Sequence, residues 1–154
     1  MIPAELKRLA GDADLDAENR FGLRIAFGLA CIERVEHLLT DPDVIAALSQ
    51  GKNFITGERD RQALQEAAAS AATAARSHAG SNSLDGAGSA AVSTSHGVAA
   101  ALAGRALEAA EYAAYAGVYS YASHAVTDLS AYAEEHRWQI NKLSELIERF
   151  DAAD

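Results

Sequence analysis

Between residues 62 and 104 this acidic chain carries only three formal charges, Glu66, Arg76 and Asp85. The tract is mostly Ala, Gly and Ser, and Ala stays dominant as far as residue 125. Such a stretch is too small-sided for an ordinary leucine core and too apolar for a solvated linker. Helices whose axes approach closely fit it, because Ala is the best helix former and leaves the least bulk between axes. No strand-like alternation occurs anywhere, and the whole chain has only two prolines. The expected class is all-α: a compact, Ala-rich bundle of five to six helices. At 154 residues the chain has the size of one domain, expected over 1–154 with its core over about 17–150.

The hydrophobic spacing places the elements. Phe21, Ile25, Leu29, Ile32, Val35 and Leu39 recur every three or four positions, which predicts a helix over 17–39 capped by Asp14 or Asp16. Leu23, Phe27, Ala30 and Cys31 make it apolar on most sides, as in a central helix buried by several neighbours. Asp41-Pro42 starts a short second helix that Gly51 can end. Thr56 is the cap candidate for a third helix over 57–79 with Gly80 as its stop, and residues 81–83 and 86–88 read as a loop. A fourth helix over 84–103, a break at Gly104 and a fifth helix over 105–126 follow. Thr127 or Asp128 caps the last helix, with a stripe of Leu129, Tyr132, His136, Ile140, Leu143, Ile147 and Phe150.

Several function classes lack their signatures. A net charge of −9 argues against nucleic acid as partner; it serves solubility and would also suit a basic protein. The N-terminus has no apolar h-region and no run of about 18 apolar residues is present, so neither a signal peptide nor a membrane span is expected and the default compartment is cytoplasmic. No Glu is followed by His three residues later, and paired cysteines and phosphate loops are missing, so no metal, no cofactor and no enzyme activity is expected. Cys31 sits in the most apolar helix and reads as inert core. Ser93-Thr94-Ser95-His96 is no triad, since helical neighbours point in different directions.

The candidate contact residues lie on the fifth predicted helix. Glu108, Tyr112, Tyr115 and Tyr119 share one face, with Glu111 beside them. Tyrosine combines a large rigid ring with a polar tip, so the face reads either as a core boundary or as a partner surface. Trp138 lies off the apolar stripe and either packs under the N-terminal segment or anchors a partner.

Certain segments resemble one family, the bacterial immunity proteins often called Imm5-like, which are helical, Ala-rich and linked to polymorphic toxin systems. The similarity rests on Leu29-Ala30-Cys31-Ile32-Glu33-Arg34-Val35, Ala74-Ala75-Arg76, Ser93-Thr94-Ser95-His96, Ala109-Ala110-Glu111-Tyr112-Ala113 and Glu134-Glu135-His136-Arg137-Trp138-Gln139. Cys31 to Val35 and Trp138-Gln139 carry most of it, and it spans roughly residues 20 to 145. The resemblance implies a protein that binds and blocks a cognate toxin, and the acidity of the chain suits a basic toxin such as a nuclease. The alternative is a homo-oligomeric scaffold or a small-ligand-binding bundle without catalysis.

Overall fold

The computed structural model describes residues 2–58, 60–77, 86–122 and 125–153. Among these residues the chain forms seven α-helices and no strand. They are α1 (Ala4–Asp12), α2 (Phe21–Glu33), α3 (Pro42–Asn53), α4 (Arg61–Ser77), α5 (Gly86–Leu102), α6 (Ala106–Ala122) and α7 (Ala133–Ala152). The all-helical class is as expected, but the count exceeds five to six. The added element is α1, nine residues that bury Leu6 and Ala10 and pack on α7.

α2 is the central helix, meeting α3, α5, α6 and α7. Leu23, Ile25, Phe27, Cys31 and Ile32 are all fully buried in it. It is shorter than periodicity predicts, because the chain turns after Glu33 into a separate 3-10 turn at Glu36–Leu38. Neither Asp14 nor Asp16 caps it; a 3-10 turn at Glu18–Arg20 leads in instead. The Ala-rich α4, α5 and α6 form a closely packed layer in which Ala71, Ala75, Ala101, Ala109 and Ala116 are all buried. α2 approaches α5 so closely that a methyl group on Gly28 would lie 3.1 Å from Ala101 Cβ and 3.2 Å from Ala101 Cα.

Local chemistry sets the boundaries. Asp41 accepts a 2.8 Å hydrogen bond from the Asp43 amide, with Pro42 in the first turn of α3. α3 runs through Gly51, which does not end it; Leu102 and Leu29 press so closely there that a side chain has no room. Thr56 is not the cap of α4. Its hydroxyl donates to the Asn53 carbonyl, while Asp60 accepts from the amides of Gln62 and Ala63. Gly57 (φ 135°) turns the chain between the two helices, a conformation that disfavours a Cβ. The expected stop at Gly80 and loop at 81–83 lie outside the described residues, and 86–88 belong to α5. Gly104 (φ 80°) makes the predicted break. Asp128 accepts from the Ser130 amide at 3.0 Å and its hydroxyl at 2.8 Å, capping a 3-10 turn (Leu129–Tyr132) that leads into α7. Leu129, expected in the buried stripe, is 63% exposed on that turn. The buried side of α7 is His136, Gln139, Leu143 and Leu146, with Ile140 and Ile147 half-buried.

Candidate functional site

α6 has two characters because its small and large residues segregate. Ala109, Ala110, Ala113 and Ala116 fill the side turned to α2 and α5, and this close seating thrusts the larger side chains outward. Of the expected contact residues, Glu108 is exposed and pairs with Arg105 at 2.8 Å, and Glu111 is half-buried. Tyr112 is also half-buried. It packs against the core and stacks on His96 of α5, with ring centroids 5.6 Å apart. Tyr115 and Tyr119, one turn on, stack on each other at 5.7 Å, and Tyr115 is 36% exposed. The face therefore divides. Tyr112 belongs to the α5–α6 boundary, whereas Tyr115 is presented to solvent with the half-buried Tyr119 stacked on it, beside two carboxylates.

Two further large side chains outside the predicted set are exposed. Tyr121 is 72% exposed, and the 3-10 turn after α6 presents Leu129. Beneath them Tyr132 is buried with Ala114 and Val118 in a small separate cluster. Its hydroxyl donates to the Val126 carbonyl at 2.7 Å and its ring stacks on His136 at 5.6 Å. Burial pushes the Tyr132 phenol up, and the nearby Tyr115 and Tyr121 phenols add to the shift. Tyr121 escaped the sequence reading because six residues from Tyr115 is a different helical face.

The other chemistry-bearing residues are absorbed by packing. Burial pushes the Cys31 thiol far up, so no thiolate forms near neutral pH. Thr94 is buried and donates back to the Ala90 carbonyl at 2.8 Å, Ser95 is buried beside it, and His96 stacks on Tyr112. Among the described residues no three His, Cys, Asp or Glu side chains are grouped as metal ligands. The two segments that carry most of the family resemblance meet in space. Arg34, just past α2, makes a two-pronged hydrogen bond to Glu135 of α7 at 2.7 and 2.9 Å, and its guanidinium lies 4.2 Å from the centre of the Trp138 ring. Next to them the Gln139 amide donates to the Ala110 carbonyl of α6 at 2.9 Å, with its side chain fully buried. Arg34, Trp138 and Gln139 thus tie α2, α6 and α7 together, so Trp138 has a packing partner in Arg34.

Comparison with models of protein families, with curated proteins and with solved structures finds no match. The reading of this surface therefore rests on its own chemistry. Stacked phenols and adjacent carboxylates supply apolar area, hydrogen-bonding tips and negative charge. Features of this kind are common at protein interfaces.

Proposed function

We propose that the chain is an immunity protein of a bacterial polymorphic toxin system, acting in the cytoplasm by binding a cognate toxin, without catalysis. The observation that carries this is the Tyr115–Tyr119 pair, presented beside Glu108 and Glu111 on a molecule of net charge −9. Rigid aromatic anchors ringed by charge form the energetic centre of many protein interfaces. A basic toxin such as a nuclease is the partner this chemistry fits. The motif resemblance supports the same reading at the level of the scaffold, through the Arg34–Glu135–Trp138 tie, and leaves the contact face free to vary.

Co-expression with the product of the adjacent toxin gene, followed by pull-down and kinetic binding, tests it. Reversing charge at both Glu108 and Glu111 should weaken binding, and Tyr115→Ala should raise the off-rate. Binding that ignores all three changes would place the contact elsewhere on the protein. No binding at all, with a mass that grows with concentration, would favour self-association through Tyr121 and Leu129.

A further inference from the structure

A cleft of about 530 Å³ opens on another part of the molecule, between α2, the α3–α4 junction and α7. Its floor is a strip of small residues on α2: Gly22, Ala26 and Ala30, each four positions from the last. A helix with no side-chain bulk along one line leaves a groove wherever its neighbours stand apart. Here Phe54 and Ile55 form one wall, and Leu146 and Phe150 the other. Both walls are held. Phe54 packs edge-on against Phe21 with centroids 5.9 Å apart, and the Phe150 ring sits where a methyl group on Gly22 would come within 3.3 Å. Ile55 is exposed, an apolar side chain at the mouth of an apolar cleft.

The charge at the rim runs against the rest of the protein. The chain has 22 acidic and 13 basic residues, yet the cleft lining holds Lys52, Lys142 and Arg149 against the single acid Glu33. Lys52 pairs with Glu36 at 2.9 Å, and Lys142 and Arg149 share Glu145. These pairs reach solvent, Lys142 the least of them, so water screens them and an incoming anion can compete with them. The volume lies within the range of small-molecule sites, and so does the pattern of an apolar lining with a few convergent polar groups.

We propose that this cleft binds a small amphipathic carboxylate, its hydrocarbon part against Ala26, Ala30 and Phe150 and its carboxylate among Lys52, Lys142 and Arg149. This site is independent of the toxin-binding reading and stands or falls separately. The apolar lining selects a hydrocarbon body, and a negative head is selected by three cations that it can draw away from Glu36 and Glu145.

Titration calorimetry with decanoate, decanol and decyltrimethylammonium tests it. The expected result is saturable one-to-one binding of decanoate, at least about tenfold weaker binding of the alcohol, and none of the cation. Within the carboxylates, affinity should rise from octanoate to decanoate by up to about fourfold per methylene. Ala30→Leu, which fills the floor, should abolish binding; the surface pair Lys142→Gln with Arg149→Gln should weaken decanoate at least about fivefold and leave decanol unchanged. Because the second variant changes the exposed Arg149 and the rim residue Lys142 and leaves the floor intact, it keeps the test decisive if Ala30→Leu misfolds. The proposal is overturned by no saturable decanoate binding below about 1 mM, by equal affinity for the three head groups, or by indifference to Lys142→Gln/Arg149→Gln. A dimer that Ala30→Leu dissolves, without decanoate binding, would assign the cleft to a second copy and overturn it too.

Discussion

His136 shows how a single ring can set the response to acid. Its side chain is buried, its Nε2 has no hydrogen-bond partner among the described residues, and Tyr132 covers one face. Burial holds its pKa below the ordinary 6.5, against a smaller upward pull from Glu135. The folded chain therefore takes up this proton later than the unfolded chain does. Above pH 6.5 both forms are neutral and the residue adds no pH dependence. Below it the unfolded state binds more protons, so stability falls until the folded ring titrates too, by at most about 1.4 kcal/mol per pH unit. Urea melts at about pH 7.5 and about pH 5 should show a larger loss for the native chain than for His136→Gln. Equal losses in the two would assign the acid sensitivity to the carboxylates. Core packing is a second residue-scale matter. Phe27 and Ile32 are fully buried on α2, so Phe27→Ala or Ile32→Ala should remove about 2–5 kcal/mol in denaturant melts. A loss under about 0.5 kcal/mol at both sites would mean that α2 is not the central helix.

At the scale of the element, close approach and latching decide stability. Gly28→Ala adds a better helix former, worth about 1 kcal/mol by propensity. Its methyl would meet the Cβ and Cα of Ala101, and backbone cannot move aside as a side-chain tip can. Overpacking should win, giving a net loss of about 1–3 kcal/mol; a stabilised variant would mean that α2 and α5 can separate freely. The Arg34 tie makes a second case. Lys in its place keeps the charge but loses the two-pronged hydrogen bond to Glu135 and the flat contact with Trp138. Arg34→Lys should therefore cost about 1 kcal/mol, modest because the pair is partly exposed. Thermal melts indistinguishable from the native chain would demote the tie to a surface pair. These contacts also explain what was legible in the sequence. Apolar spacing marked α2 because Phe27 and Ile32 obey the helical period, and Gly104 and Asp128 announced their turns through backbone chemistry. The nine-residue α1 went unread because so short a segment has little helical preference of its own and depends on docking against α7. Gly51 read as a stop because sequence shows a missing side chain and not the Leu102 that occupies its place. Ala30 read as buried core and Gly22 and Ala26 drew no notice, since periodicity reports which residues are small but not where neighbouring helices stand apart. Glu108, Tyr115 and Tyr119 were readable as one face; the exposure of Tyr121, on another side of the same helix, and of Leu129, on the 3-10 turn before α7, was not.

For the whole molecule the decisive quantity is the field. Thirteen basic against twenty-two acidic residues leave a net charge of −9, and three of the basic side chains stand around the cleft instead of the tyrosine face. If the proposed partner is a basic toxin, the long-range field steers the encounter, while the short-range contacts of Tyr115 and Tyr119 hold the complex. The two contributions separate under salt. Raising ionic strength from about 0.05 to about 0.5 M shortens the screening length from more than 10 Å to less than 8 Å, so charges beyond immediate contact no longer guide approach. Association should slow at least about tenfold over that range, while dissociation, governed by buried aromatic area, changes much less. Charge reversal at Glu108 and Glu111 should flatten the salt dependence of the on-rate, and Tyr115→Ala should leave that dependence intact while shortening the lifetime of the complex. Stopped-flow mixing of the native chain and both variants with the adjacent toxin measures all of this. An on-rate indifferent to salt would rule out steering, and with it the basic partner.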